Sequence, residues 1–128
     1  MVKCSFAHME CSVARALDVL GEWWTMLIIR DLMLCGGNCR FEQLREGLGI
    51  SRNILTERLK RLVEEGLVDK LPVSEGARRQ AYRLTQKGWD LMPIMVAMSQ
   101  WGDKWRDDPE KISIRFLDRL NGEEKVFL

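Results

Sequence analysis

Apolar residues near the start of the chain recur at the spacing of α-helices. Four of them fall at positions i, i+3, i+4 and i+7 and therefore share one helical face: Val13, Ala16, Leu17 and Leu20. This pattern predicts a first helix over Ser12–Leu20, with Ser12 as its N-cap and Gly21 at its end. The segment Trp23–Leu34 is apolar almost all round, which predicts a second helix buried at the centre of the fold.

The middle of the chain has the pattern of two helices joined by a tight turn. A short helix is predicted over Phe41–Leu48, and Ser51 caps a longer helix that continues through Glu65. One side of the longer helix is an apolar stripe of Leu55, Leu59, Leu62 and Val63. The opposite side is polar and consists of Arg52, Asn53, Thr56 and Lys60. Together these features predict a helix-turn-helix over about residues 41–65.

After Gly66 the pattern changes to that of short strands. The segments Leu67–Pro72 and Ala81–Leu84 read as strands, and the polar loop between them contains Gly76, Arg78 and Arg79. We predict a β-hairpin with a basic tip, or wing, over about residues 67–84.

The C-terminal part predicts a long helix over Gln86–Arg106, capped by Thr85 and kinked at Pro93, and a final amphipathic segment over Glu110–Leu120. The apolar surface of the long helix is broader than one small domain can cover. The residues that we expect in a dimer interface are Trp89, Met92, Trp101 and Trp105. Helices over about residues 8–20 and 86–120 would then flank the winged domain and dimerise. The alternative is that these side chains pack within the same chain.

The element order predicts an α+β fold, mostly α, forming a single winged helix-turn-helix domain over residues 1–128. No apolar stretch approaches the ~20 residues of a membrane span, and the N-terminus lacks a basic region followed by an apolar run. We therefore expect a cytoplasmic protein without membrane contact. The net charge is only +1, but residues 40–87 hold 11 Lys and Arg against 7 Asp and Glu, which weakly favours a polyanionic partner.

The polar side of the longer helix has the chemistry that base recognition needs. The N-terminal residues of a recognition helix meet base edges in the major groove, where arginine suits guanine and asparagine suits adenine. A basic hairpin beside that helix can reach the backbone or the minor groove. The predicted contacts to double-stranded DNA are Ser51, Arg52, Asn53, Thr56, Lys60, Arg78 and Arg79. A dimer would read two half-sites of a palindromic operator.

The four cysteines are Cys4, Cys11, Cys35 and Cys39. Structural disulfides are rare in the cytosol, so we consider buried thiols, metal ligands and redox sensors. Cys11 lies at the start of the first predicted helix, where the helix N-terminus favours a thiolate, although the neighbouring Glu10 opposes it. Cys11 is the candidate redox or electrophile sensor, and its disulfide partner among the other three cysteines stays open. A metal site from these cysteines and His8 has tolerable but untypical spacing, and we predict none.

Several segments in this order resemble the HxlR-type family of bacterial winged-helix regulators, which are related to the MarR group. The matching segments span Cys11 to Trp105 and are 11–21, 24–32, 40–44, 49–51, 55–62, 66–68, 82–85 and 101–105. The resemblance implies a homodimer built from terminal helices, a role as repressor or activator, and in many members a sensing cysteine at the position of Cys11. Ser12 and Glu22 depart from the residues common in the family, and Cys4, Cys35 and Cys39 are outside its shared pattern.

Other functions fit the sequence less well. A winged domain that binds protein would favour an apolar or acidic face on the longer helix, which here is basic and polar. A metal-responsive regulator using the cysteines is a further alternative. A thiol enzyme would need a Cys–His pair, and the one histidine, His8, has no accompanying oxyanion-hole motif. We therefore predict no enzymatic activity and no cofactor.

Overall fold

The computed structural model describes residues 5, 8, 10–76, 78–106, 108 and 115–121. The helices in this part of the chain are α1 (Ser12–Leu20), α2 (Thr25–Leu34), α3 (Phe41–Leu48), α4 (Arg52–Glu64), α5 (Gln86–Trp89), α6 (Met92–Trp105) and α7 (Phe116–Leu120). The strands are β1 (Asn38–Arg40), β2 (Val68–Pro72) and β3 (Gln80–Leu84). This confirms the predicted fold class, a mostly helical winged helix-turn-helix. In the described part, no helix has the length and apolar character needed to cross a bilayer.

The three strands form one antiparallel sheet in the order β1-β3-β2. β2 and β3 are the predicted wing hairpin, in which Val68 pairs with Leu84 and Pro72 with Gln80. β1 was not predicted from the sequence. It adds to the other edge of β3, with Cys39 opposite Tyr82, and so joins the end of α2 to the wing.

The core is built around α2, as its apolar sequence predicts. Ile28, Ile29 and Leu32 of this helix are completely buried. The helix-turn-helix contributes Leu44, Ile50, Leu55, Leu59 and Leu62, and the sheet contributes Val68, Tyr82 and Leu84. Burial of several large aliphatic side chains, each worth about 1.5–3 kcal/mol, fixes α3 and α4 on α2. The wing and the helix-turn-helix therefore share one core.

The second helix begins later than predicted, whereas α1 has its predicted bounds but a different N-cap. α2 begins at Thr25, because the Glu22 carboxylate accepts hydrogen bonds from the Trp24 amide (3.0 Å) and the Thr25 hydroxyl (3.1 Å). Trp23 consequently lies outside the helix and is exposed. The N-cap of α1 is Cys11, in extended conformation, and not Ser12.

The prediction of one long helix over 86–106 was wrong, because this segment forms two helices, α5 and α6. Thr85 caps α5 as predicted, and its hydroxyl accepts a hydrogen bond from the Gly88 amide at 3.2 Å. Pro93 lies in the first turn of α6. There a missing N–H is tolerated, so the proline starts a helix and does not kink one. Of the predicted segment 110–120, α7 is described, whereas 110–114 lie outside the described residues.

Two helical glycines offer a test of this packing. A Cβ on Gly88 would lie 2.4 Å from the Leu67 carbonyl oxygen and 2.8 Å from the Leu84 side chain. We expect Gly88→Ala to lower the free energy of unfolding by about 1–3 kcal/mol. Gly102→Ala is the matched control, because nothing lies within 4 Å of its Cβ position, and it should raise stability by about 0.5–1 kcal/mol. Urea unfolding measures both, and equal changes would contradict the packing of α5 on the sheet.

Candidate nucleic-acid interface

The turn before α4 is set by its own residues. α3 ends at Gly49, whose φ of 65° lies in the left-handed region that favours glycine. The Ser51 hydroxyl then accepts a hydrogen bond from the Ile54 amide at 3.3 Å and caps α4. The tight turn and the Ser51 cap were predicted from the sequence. They direct the N-terminus of α4 outward from the fold, which is how a recognition helix enters a groove.

The buried face of α4 holds the helix in place and leaves the polar face exposed. Leu55, Leu59 and Leu62 lie in the core, whereas the predicted contact residues are exposed: Ser51, Arg52, Asn53, Thr56 and Lys60. The Arg58 Nε also lies 3.0 Å from a Glu22 carboxylate oxygen, and both side chains are largely buried. This ion pair connects α4 to the start of α2. The departure from the family pattern at Glu22 thus has a structural role.

A groove of about 670 Å³ separates α4 from the wing. Its lining residues are Arg40, Phe41, Glu42, Gln43, Glu46, Arg52, Thr56, Lys70, Arg78, Arg79, Gln80 and Tyr82. Five of them are cationic and two are anionic, so the groove carries net positive charge. The structure therefore brings together Arg52 and Thr56 of α4 with Arg78 and Arg79 of the wing.

Sequence reasoning missed two cations of this groove. Arg40 lies at the end of β1, whose pairing with β3 was not predicted. Lys70 lies on β2 opposite Tyr82. Strand periodicity gave no signal for Lys70, because alternation places it on the same face as the buried Val68, two residues earlier, and yet Lys70 is exposed. Both side chains add to the positive lining between the two predicted contact regions.

The Arg52 guanidinium is held in the groove by two neighbours from α3. Its Nη2 donates to a Glu42 carboxylate oxygen at 2.5 Å, and its Cζ lies 5.4 Å from the centre of the Phe41 ring. Hydrogen bonds from Arg45 and Arg52 lower the pKa of Glu42 below its usual value. Because the Arg52 side chain remains 61% exposed, its guanidinium is positioned but still accessible.

The other contact candidates differ in the hydrogen bonds that they already make. The Thr56 hydroxyl donates to the Arg52 carbonyl at 2.8 Å, and the Thr56 side chain remains exposed. At the wing, the Arg79 carbonyl accepts from the Val73 amide at 2.9 Å, and the Arg78 carbonyl accepts from the Gln80 side chain at 3.3 Å. The backbone of the wing tip is therefore tied to its own hairpin, and both arginine side chains are exposed.

Cys11 lies at the N-cap of α1 and is exposed. Its thiol makes no capping hydrogen bond. Cys35 and Cys39 are also free thiols, whereas Cys4 lies outside the described residues. In the part of the chain that the structure describes, no three metal-ligating side chains cluster.

Large apolar side chains are exposed on α1 and α6. Ile94, Met98, Trp101 and Trp105 follow the spacing i, i+4, i+7 and i+11, so they form a single stripe along α6. α1 has no buried residue, and its Val13 and Leu17 are likewise exposed.

The four side chains that were predicted for a dimer interface have different surroundings. Trp89 and Met92 are half-buried against the core of their own chain, and the Trp89 ring lies directly against Gly37. Trp101 and Trp105 are 61% and 64% exposed. Of the four, Trp101 and Trp105 are therefore the ones whose side chains are free to pair with another molecule.

A recognition helix beside a basic wing on one core defines a winged helix-turn-helix protein. The HxlR-like helix-turn-helix family matches residues 19–110, and the chain belongs to this family of transcriptional regulators. It is 45% identical over 112 residues to Rv3095 of Mycobacterium tuberculosis, an uncharacterised HTH-type transcriptional regulator, and this match covers 88% of the chain and 70% of the relative.

Solved structures give the same result. The crystal structure of PA1607, named as a candidate transcription factor, has a TM-score of 0.77 and 41% identity over 87% of this chain and 76% of its own. The reduced form of the regulator YodB from Bacillus subtilis has a TM-score of 0.64 and 34% identity, covering 78% of this chain and all of YodB. YodB has also been solved with bound quinone and after diamide treatment. The predicted family membership is thereby confirmed.

Proposed function

We propose that this regulator is a cytoplasmic homodimer that binds a palindromic operator in double-stranded DNA, and that it has no enzymatic activity. The observation that carries the proposal is the groove between α4 and the wing. It combines a helix N-terminus, base-reading side chains and cations from three elements. Arg52, Asn53 and Thr56 would read bases. Ser51, Lys60, Arg78 and Arg79 would contact phosphates, and Arg40 and Lys70 join them.

Dimerisation supports this function because a single short helix reads only one half-site. The apolar stripe on α6 and the unburied α1 are the surfaces that we assign to the partner subunit. Exposed apolar area of this kind is uncommon on monomers and is typical of homodimer interfaces. The two recognition helices would then be held at a fixed spacing on the DNA.

Binding to genomic fragments tests the proposal directly. Fluorescence anisotropy with labelled duplexes from the DNA next to the gene should identify one fragment bound far more tightly than random duplexes. The affinity should fall steeply with salt, because each neutralised phosphate releases counterions. Equal, weak binding to all duplexes at physiological salt would contradict sequence-specific regulation.

We further propose that Cys11 senses an oxidant or electrophile. Its thiol is exposed at the N-cap of α1 and makes no capping hydrogen bond, so a reagent in solution can reach it. α1 is also one of the two helices that we assign to the dimer interface. A modification there could rotate one recognition helix against the other and alter the half-site spacing. The quinone-bound form of YodB shows that a relative takes such a ligand.

Substitution of Cys11 tests this role. Treatment with a quinone or diamide should release the wild-type protein from its operator, whereas Cys11→Ser should stay bound, because it lacks the reacting sulfur. Ser12→Ala is the matched control and should respond like the wild type. Operator binding before and after treatment is the measurement. Equal release of wild type and Cys11→Ser, or no release of wild type, would remove Cys11 from the sensing role.

A further inference from the structure

Two cysteines that lie outside the family's shared pattern are in contact in this chain. The Cys35 thiol donates to the Cys39 sulfur with an Sγ–Sγ distance of 3.1 Å. Cys35 is the C-cap of α2, and Cys39 is the central residue of β1. Gly36 and Gly37 connect them with φ angles of 77° and 95°, which other residues rarely adopt. These glycines reverse the chain and bring the two sulfurs together.

We propose that Cys35 and Cys39 form a dithiol site that a hydroperoxide converts into an intrachain disulfide, separate from Cys11. A disulfide bond is about 2.05 Å long, so the sulfurs need to approach by only about 1 Å. Cys35 is exposed at the end of a helix and is followed by two glycines, so its side chain can make this movement. Both thiols belong to one chain, and the bond requires no second subunit.

The surroundings of the two thiols assign them different roles. Cys35 is exposed and accessible to an oxidant, whereas Cys39 is buried. Burial raises the pKa of the Cys39 thiol to about 12, with the Cys35 hydrogen bond and the charges of Cys35 and Asp31 as further causes. Cys39 is therefore protonated at neutral pH. Cys35 is the thiol that attacks, and Cys39 is the thiol that resolves.

The chemistry is complete with a hydroperoxide as the oxidant. The Cys35 thiolate, having lost its proton to solvent, attacks the terminal peroxide oxygen and the O–O bond breaks. The departing alkoxide or hydroxide takes up a proton from solvent and leaves as alcohol or water. The resulting sulfenic acid on Cys35 is attacked by the Cys39 sulfur. The S–S bond forms, the S–O bond breaks, and the departing hydroxide takes the Cys39 proton and leaves as water. Two thiols are oxidised by two electrons, and one peroxide is reduced.

The dithiol site lies next to residues that line the groove between α4 and the wing, so a disulfide there would affect the proposed DNA contacts. This step rests on the proposed function. The Cys39 thiol also lies 3.8 Å from the Gln43 side-chain oxygen, which accepts from the Arg40 amide at 3.0 Å where α3 begins. Opposite Cys39 on β3 is Tyr82. Gln43, Arg40 and Tyr82 all line the groove. A shift of Cys39 would therefore disturb both the start of the helix-turn-helix and the base of the wing.

The test uses full-length chain with Cys4→Ser and Cys11→Ser, so that only Cys35 and Cys39 carry thiols. After hydrogen peroxide treatment and alkylation, mass spectrometry should show the loss of two hydrogens and no alkylated thiol. A peptide map should link residue 35 to residue 39 within one chain. Adding Cys39→Ser should leave a sulfenic acid on Cys35 that dimedone traps. Two thiols that both remain alkylatable, or a disulfide between two chains, would overturn the site.

The same variant measures the effect on DNA. Reduced protein must first bind the operator like the wild type, and loss of that baseline would count against the proposed function and not against the dithiol. Peroxide should then weaken binding at least several-fold, and dithiothreitol should restore it. The further variant with Cys39→Ala should show no reversible loss. An intrachain disulfide with unchanged affinity would overturn the link to the DNA face.

Discussion

Arg52→Ala should weaken binding to the specific operator by about 1–3 kcal/mol, roughly 5- to 150-fold. Its guanidinium lies in the groove between α4 and the wing and is already oriented by Glu42 and Phe41. Two parallel hydrogen bonds to guanine would replace the carboxylate contact with a base contact. Arg52→Ala should remove the contact to a single base pair, so the affinity for random duplexes should change less than the affinity for the operator. Anisotropy titrations at fixed salt measure both affinities.

Two other arginines provide the controls for this prediction. Arg79→Ala should weaken binding to every duplex and lower the slope of log affinity against log salt by about one, because a phosphate contact is lost. Arg61→Ala should have little effect, since Arg61 pairs with Glu65 at 3.1 Å on a part of α4 away from the groove. If Arg52→Ala and Arg61→Ala reduced operator affinity equally, the assigned reading face would be wrong.

The elements that define the class of this protein could be predicted because their signals are local. Ser51 caps α4, and its leucines repeat at helical spacing within a few residues of that cap. Gly49 marks the turn by its need for a left-handed conformation. The wing follows from two short strands around a polar loop. Each signal is complete within about a dozen residues, so no knowledge of distant contacts was needed.

The elements that were missed depend on contacts between distant parts of the chain. β1 has only three residues and exists because Cys39 pairs with Tyr82, far along the chain. Trp89 packs against Gly37 because this glycine leaves room for its ring, and neither residue signals the other in sequence. The pairing of Arg52 with Glu42 likewise crosses the turn of the helix-turn-helix. Sequence patterns therefore predicted four of the residues that line the groove, namely Arg52, Thr56, Arg78 and Arg79. They predicted neither Arg40 and Lys70 nor the partners that position Arg52.

Replacing Trp101 and Trp105 together with serine should convert a dimer into a folded monomer. Both side chains belong to the apolar stripe on α6 and are more than 60% exposed in the single chain. Their own subunit does not need them for its core, so circular dichroism should remain like that of the wild type. Light scattering at micromolar concentration should give twice the chain mass of 14.9 kDa for the wild type and the chain mass itself for the variant. Operator affinity should fall when the dimer dissociates, because the two subunits bind two half-sites together.

Trp23→Ser is the matched control for the loss of an exposed tryptophan. Trp23 is 77% exposed but lies between α1 and α2, outside the stripe. Trp23→Ser should still have the mass of a dimer, because we expect dissociation only when side chains of the α6 stripe are removed. A wild-type mass of 14.9 kDa at micromolar concentration would refute the dimer. Dissociation by Trp23→Ser to the same extent as by the double substitution would place the interface elsewhere than on α6.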